Sequence, residues 1–161
     1  MRLYCSLEKN HYYLVMDKFT TEKRSWIMAQ VRGRNTKPEK AVRSLLHRLG
    51  YRFRIQRKDL PGTPDIVLPK YKTVIFVHGC FWHRHLNCPR ATMPASNQTY
   101  WQKKFESNCR RDEMNHALLK QLGWNVVIVW ECELKNLETL ADKLSTHLSS
   151  IELLTPMFRQ N

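Results

Sequence analysis

The chain has 161 residues, of which 42% are hydrophobic and 25% are charged, the proportions of one globular domain of ordinary size. No apolar run approaches the roughly 20 residues of a membrane-spanning helix, and no secretory signal is present, so we expect a soluble intracellular protein. Lysine and arginine total 27 against 14 acidic residues, a net charge of +13. This excess favours nucleic acid as the partner over a membrane surface.

The N-terminal part of the chain carries the weakest structural signal. Residues 1–16 match no clean period, and we expect them to be a poorly ordered extension of a single domain over residues 17–161. The basic stretch 17–37 is predicted to contain a short helix, followed by a loop at 33–36.

The first well-defined helix begins after Thr36. Thr36 and Glu39 have the spacing of a capping box, Pro38 lies in the first turn, and Gly50 ends the helix. Apolar residues between these limits recur at i, i+3, i+4 and i+7, which predicts one buried stripe. The stripe consists of Val42, Leu45, Leu46 and Leu49.

Three strands are predicted next. Residues 51–56 alternate between apolar and polar, and residues 65–68 and 73–78 are apolar runs bounded by turns. Asp65 opens the second strand and His78 ends the third. If these two strands pair antiparallel, the carboxylate and the imidazole lie at the same edge of the sheet.

The remaining elements complete an α/β pattern. Residues 81–99 are predicted to be loop, residues 100–122 a long helix that stops at Gly123, residues 124–130 a central strand, and residues 134–148 a last helix. The order is α-β-β-β-α-β-α. It predicts one mixed sheet flanked by helices.

Two groups of residues could bind metal ions. Asp65 with His78 suits a hard cation such as Mg²⁺, which needs only one or two carboxylates, although each residue is also ordinary at a strand end. The pattern His85-x-x-Cys88 has the spacing of zinc ligands, and Cys132 follows the last strand. The long helix offers further donors, namely Cys109, Asp112 and His116.

Two large aromatic residues, Phe81 and Trp82, lie in the loop between these groups. A plug over the core is the simplest interpretation. In a basic protein, aromatic side chains beside cations also wedge between base pairs or stack on bases.

Three segments together resemble the very short patch repair (Vsr) endonucleases. They are LPGTPDIV, VHGCFWHRH and GWNVVIVWECEL, within a resemblance that covers roughly residues 17–134. The resemblance implies a restriction-endonuclease-like fold, Mg²⁺-dependent nicking of DNA 5′ of the T in a T:G mismatch, and a structural zinc. Such mismatches arise when 5-methylcytosine deaminates, and the nick begins a short repair patch.

The resemblance also assigns residues. Asp65 and the backbone carbonyl of Val77 match the Mg²⁺ ligands, and His78, His83 and Glu39 match the other catalytic positions, although the capping box alone also explains Glu39. The zinc ligands matched are His85, Cys88, Asp112 and Cys132, with Cys109 or His116 as substitutes for Asp112. The DNA-contacting residues matched are Met28, Phe81, Trp82, Trp101, Lys104 and Asn108.

We therefore expect a strand-specific mismatch endonuclease that acts as a monomer in a bacterial cytoplasm, with a functional link to mismatch-repair factors. Two alternatives stay open. One is a zinc-stabilised DNA-binding module without activity, and the other is a restriction-type nuclease that cuts paired DNA.

Overall fold

A computed structural model of the chain describes residues 14–15, 20–30 and 33–154. The helices are α1 (Thr21–Ala29), α2 (Lys37–Arg48), α3 (Gln98–Gln121) and α4 (Leu137–Leu154). The strands are β1 (Leu14–Val15), β2 (Ile66–Leu68), β3 (Thr73–His78), β4 (Met93–Pro94) and β5 (Asn125–Trp130). Short 3₁₀ turns at Pro69–Tyr71 and Glu131–Lys135 connect β2 to β3 and β5 to α4.

Helix α2 forms as its sequence predicts. The Thr36 side chain accepts a hydrogen bond from the Glu39 backbone N–H, and the Glu39 carboxylate accepts one from the Thr36 backbone N–H, which completes the capping box. Gly50 follows the helix with a φ of 84°, a left-handed conformation that glycine adopts without strain. Val42, Leu45 and Leu46 of the predicted stripe are buried, but Leu49 is 39% exposed, because it follows the last helical residue, Arg48.

The central sheet has the strand order β2-β3-β5. Strands β2 and β3 are antiparallel, and β3 and β5 are parallel, so the sheet is mixed. One face packs against α2 and α4 through Ile66, Ile75 and Val127, and the other face packs Val74 against Leu119 of α3. The predicted α/β class, with a mixed sheet flanked by helices, is confirmed.

The predicted strand over 51–56 is wrong for most of its length. Only Arg54 pairs, as a single bridge opposite Val67. Tyr51 and Phe53 pack on the larger core cluster, as their alternation indicates, but Gln56 has a φ of 53° and ends the extended conformation. Ile55, the third apolar residue of the alternation, is 44% exposed, so the pattern predicted the packing of only Tyr51 and Phe53.

Two further features lie outside the predicted elements. The two-residue strands β1 and β4 pair in parallel, the first within the predicted extension and the second within the predicted loop 81–99. Apart from Leu14 and Val15, residues 1–16 lie outside the described residues, and the single domain over 17–161 stays a prediction. In the described part of the chain, no helix combines the length and the hydropathy needed to cross a bilayer.

Candidate active site and metal centre

An open cleft, with a volume of about 820 Å³, lies where β2 begins and β3 ends. Because these two strands are antiparallel, their opposite termini meet at one edge of the sheet. Helix α3 forms another wall of the cleft. Eleven candidate functional residues singled out from the sequence line it, namely Met28, Glu39, Asp65, Val77, His78, Trp82, His83, Lys104, Asn108, Asp112 and His116.

Asp65 is fixed against the neighbouring strand. Its Oδ2 accepts a hydrogen bond of 2.8 Å from the backbone N–H of Val77. Burial raises the pKa of the Asp65 carboxyl to about 6, although the Val77 N–H lowers it; the negative charge of Glu39 adds to the rise. A cation that binds beside Asp65 would therefore stabilise its ionised form.

Glu39 has two roles in this geometry. Besides capping α2, its carboxylate accepts hydrogen bonds from the Asn35 N–H at 2.9 Å and from the Arg43 guanidinium at 2.8 Å. It is almost fully buried and lines the cleft. The Glu39 carboxylate therefore caps α2 and also lines the cleft, so the two interpretations from the sequence are compatible.

Two histidines and an aspartate form the centre of the cleft. The rings of His78 and His83 stack with centroids 3.8 Å apart and an interplanar angle of 14°. His83 Nδ1 lies 2.5 Å from Asp112 Oδ2 on α3. Burial lowers the pKa of His78 to about 3, and the charge of His83 lowers it further, so His78 is a neutral imidazole at physiological pH.

Asp112 is ionised in this arrangement. Its burial raises the pKa, but the hydrogen bond with His83 and the charges of His83, His78 and His116 outweigh burial and lower the pKa overall. A carboxylate in this position orients the His83 ring through its hydrogen bond to Nδ1.

A second group of side chains could hold a metal ion. Cys80, His85, Cys88 and Cys132 place one donor atom each within 4.8 Å of one another. His85 Nδ1 lies 3.3 Å from the Cys132 sulfur and 3.6 Å from the Cys80 sulfur. The His85 ring is also stacked on Trp130, with centroids 4.2 Å apart. Three sulfurs and one imidazole nitrogen fit a tetrahedral ion such as Zn²⁺.

In this geometry Asp112 lies apart from the cysteine group, whereas the ligand set predicted from the resemblance included it. Asp112 is not in the cysteine group, because its carboxylate is bonded to His83 in the cleft. Of the two substitutes, His116 lies beside Phe76 and His78, and Cys109 is buried and disulfide-bonded.

Cys80 is a candidate ligand that sequence reasoning missed. It is fully buried, two residues after His78, and lies in the cysteine group, to which the sequence prediction had assigned Asp112. The signal was present in the chain as Cys80-x₄-His85-x₂-Cys88, a spacing in which all three side chains come from one loop.

The predicted DNA-contacting residues divide into two sets. Met28, Trp82, Lys104 and Asn108 line the cleft. Phe81 and Trp101 do not; the Phe81 ring packs edge-on against Trp101 at 5.4 Å, and Trp101 is 6% exposed.

Asn108 is also buried, at 5% exposure, although it borders the cleft. Its Nδ2 donates a hydrogen bond of 3.1 Å to the backbone carbonyl of Trp82, and its Oδ1 accepts one of 2.9 Å from Arg111. Asn108 therefore ties the loop that carries Trp82 and His83 to α3.

Comparisons with known proteins identify the family of this chain. The family described as DNA mismatch endonuclease Vsr matches residues 16–90. A type II nicking enzyme, V.XorIIP from Xanthomonas oryzae pv. oryzae, is 54% identical over 128 residues, which cover 80% of this chain and 93% of that protein. The chain belongs to the Vsr family.

Two further relatives of the Vsr family support this assignment. The DNA mismatch endonuclease Vsr of Escherichia coli is 43% identical over 132 residues, 82% of each chain. The type II nicking enzyme V.NmeAIP of Neisseria meningitidis is 45% identical over 136 residues, 84% of this chain and 96% of that protein. The predicted family, its restriction-endonuclease-like fold and its nuclease class are confirmed.

Proposed function

We propose that this Vsr-family protein is a magnesium-dependent endonuclease that nicks one strand of DNA, 5′ of the T in a T:G mismatch. Its substrate would be the mismatch left by deamination of 5-methylcytosine, and its nick would begin very short patch repair in the bacterial cytoplasm. The proposal includes action as a monomer and a functional link to mismatch-repair factors.

One observation carries the proposal. A half-buried carboxylate, Asp65, two stacked histidines and the aspartate that orients one of them lie in the same cleft as a lysine and an indole ring. An inactive DNA-binding module has no use for Asp65, His83 and Asp112 in this arrangement. The net charge of +13 supplies the attraction for the phosphate backbone.

Asp65 and the backbone carbonyl of Val77 are the proposed magnesium ligands. A carboxylate with a carbonyl and water oxygens fits the preference of Mg²⁺ for hard donors. When bound, the ion would stabilise negative charge on the scissile phosphate. Glu39 contributes through its charge beside Asp65, since its own oxygens are occupied by the cap and by Arg43.

His83 is the proposed proton-transfer group. With Asp112 bonded to Nδ1, the Nε2 atom is left to face the substrate, and the carboxylate stabilises the imidazolium that forms when Nε2 accepts a proton. The neutral His78 ring covers one face of His83 and limits its rotation.

Mismatch recognition is assigned to the loop beside this dyad and to α3. Trp82 lines the cleft and would stack on an exposed base. Its ring packs against the rings of Phe81 and Trp101, which would hold it in place. Lys104 and Met28 border the space that DNA would occupy. Asn108 would position Trp82 through the hydrogen bond to its backbone carbonyl, and it would also contact DNA at the cleft surface.

The direct test is an end-labelled nicking assay on T:G and matched duplexes of varied flanking sequence, with Mg²⁺ and with EDTA. We expect cleavage of one strand only, immediately 5′ of the mismatched T, and none with EDTA. Binding without cleavage would support the DNA-binding module. Equal cleavage of matched duplexes would support the restriction-type nuclease.

We further propose that the cysteine group holds a structural zinc. Cys80→Ala and Cys132→Ala should each lose the zinc and lower the melting temperature, because metal binding contributes directly to folding free energy. Asp112→Asn should keep the zinc, since its carboxylate lies in the cleft. Elemental analysis and thermal melts of the purified proteins measure both effects.

Two outcomes of that comparison would contradict the proposal. Zinc that survives Cys80→Ala but is lost in Asp112→Asn would restore the ligand set predicted from sequence. A wild-type protein that is purified without any bound metal would show that the four side chains are not a metal centre.

A further inference from the structure

The centre of the cleft contains a third set of donors that the proposed reaction does not assign to any metal. His78, His83 and Asp112 each offer one ligand atom, and these atoms all lie within 4.8 Å of one another. The set is separate from the cysteine group, and it does not include Asp65, the proposed magnesium ligand. Its donors are two imidazole nitrogens and one carboxylate oxygen.

This donor set selects a different kind of ion from the one that Asp65 would bind. Mg²⁺ prefers oxygen ligands and keeps several of its waters. Two imidazoles and one carboxylate suit Zn²⁺, Co²⁺ and Ni²⁺, which bind nitrogen strongly. Three protein ligands with open positions are also the usual arrangement of an accessible zinc site.

The three donor atoms are close enough to share one ion once one ring has turned. The rings of His78 and His83 are stacked, at 14° and with centroids 3.8 Å apart, and the lone pair of an imidazole nitrogen lies in the plane of its ring. One ring must therefore rotate about its side-chain bonds before both nitrogens point at the same ion. Asp112 already contacts His83 Nδ1 at 2.5 Å, and an ion between these atoms would replace that hydrogen bond. The hydrogen bond that orients His83 thus marks the place where a metal ion would enter.

We propose that His78, His83 and Asp112 form a third metal site, selective for Zn²⁺-like transition metals, and that its occupation inhibits nicking. Inhibition rests on the proposed function, because it follows from the loss of the proton-transfer group. A metal bound to His83 engages the imidazole and displaces the bond to Asp112. General acid–base catalysis contributes on the order of 10²–10⁴ in rate, so an occupied site should slow nicking at least about 100-fold.

The binding test does not depend on activity. Co²⁺ is titrated into the full-length protein purified with its cysteine-bound metal, and the visible absorption of cobalt is recorded beside equilibrium dialysis. We expect one further equivalent of Co²⁺ whose spectrum lacks thiolate charge-transfer bands, since its ligands are nitrogen and oxygen. The double variant His83→Gln/Asp112→Asn should lose this equivalent and keep the metal of the cysteine group.

A matched control uses an exposed histidine outside the cleft. His147→Gln, on α4, should bind the additional Co²⁺ as the wild type does. The proposal is overturned if the wild type binds no further equivalent, if the double variant still binds it, or if thiolate bands show that cobalt only replaces the ion at the cysteines.

The inhibition test uses the nicking assay at fixed protein and DNA concentrations. Zn²⁺ or Co²⁺ should slow nicking, and raising Mg²⁺ should not restore the rate, because the two kinds of ion occupy different ligands. Full relief by Mg²⁺ would place the inhibitory ion at Asp65 and contradict the proposal. A wild-type protein that binds the additional Co²⁺ but nicks no DNA would instead refute the proposed function and leave the metal site standing.

Discussion

Asp65→Asn is expected to abolish nicking of a T:G duplex while DNA binding survives. The asparagine oxygen can still accept the hydrogen bond from the Val77 N–H, but the amide carries no charge for a hard cation. A catalytic metal contributes several kcal/mol, and about 1.4 kcal/mol is tenfold in rate, so we expect a loss of roughly a thousandfold or more. Single-turnover nicking and a binding titration measure the two effects.

Asp142→Asn is the matched control, because Asp142 is exposed on α4, a helix that contributes no residue to the cleft. The control should nick at the wild-type rate. Nicking by Asp65→Asn at close to that rate would mean that the carboxylate is not a metal ligand and that the active site has been misassigned.

The same variant gives a second, independent readout in magnesium-free buffer. Burial raises the pKa of Asp65 from 3.8 to about 6, so between these values the folded protein binds more protons than the unfolded chain does. The contribution of Asp65 to stability therefore falls as the pH rises from about 4 to about 6, by at most about 3 kcal/mol. Asp65→Asn lacks this fall, and above pH 6 it should melt at a higher temperature than the wild type. Identical pH profiles of the melting temperature would contradict the burial of this charge.

The convergence of Asp65 and His78 was predictable because it follows from topology. Once the runs 65–68 and 73–78 are read as neighbouring antiparallel strands, the start of one and the end of the other must lie together. Helix α2 was equally predictable, since its cap, its buried stripe and its terminal glycine are all local signals.

The sequence predicted which residues of α3 share one face, but not what that face packs against. Lys104, Asn108 and Asp112 recur every four residues, which places them on one face of the helix, and all three do line the cleft. Periodicity does not reveal what that face meets, because the rotation and position of a helix on a sheet depend on long-range packing. Asp112 was therefore assigned to the cysteines, when it in fact contacts His83.

The loop after β3 was the least predictable part of the site. The four residues from Cys80 to His83 have three different surroundings: Cys80 joins the cysteine group, Phe81 packs on α3, and Trp82 and His83 line the cleft. This division follows from the turn that the chain makes there, in which His83 N–H bonds to the Gly79 carbonyl and His85 N–H to the Cys80 carbonyl. No hydrophobic period describes such a loop, so residue types alone suggested the chemistry but not the partners.

The two aromatic residues of this loop have different surroundings. The Phe81 ring lies edge-on to Phe105 at 5.1 Å, and Phe105 is 1% exposed, so Phe81 belongs partly to the packing of α3. Trp82 lines the cleft and approaches Trp101 less closely, at 6.0 Å. Replacing both at once would mix a loss of packing with a loss of DNA contact, so the single variants are the informative ones.

Trp82→Ala is expected to weaken binding to T:G DNA far more than it weakens the fold. Base–aromatic stacking is worth on the order of 1–3 kcal/mol, which corresponds to roughly 5- to 150-fold in the dissociation constant. Binding to matched DNA should change little, because it rests on the neutralisation of phosphates by basic residues and falls steeply with salt. Phe81→Ala should lower the melting temperature as well, since each edge-to-face pair that it removes contributes about 0.5–1.5 kcal/mol.

Tyr100→Ala provides the control for loss of an exposed aromatic ring beside Trp101. Tyr100 is 61% exposed, its ring lies 5.4 Å from that of Trp101, and it does not line the cleft. The Tyr100→Ala protein should bind T:G DNA as the wild type does. Titrations on T:G and matched duplexes, each beside a thermal melt of the free protein, distinguish a loss of DNA contact from a loss of packing. If Trp82→Ala keeps its preference for the mismatch and loses stability, the ring is a plug over the core, and mismatch recognition must come from Lys104 and the rest of the cleft.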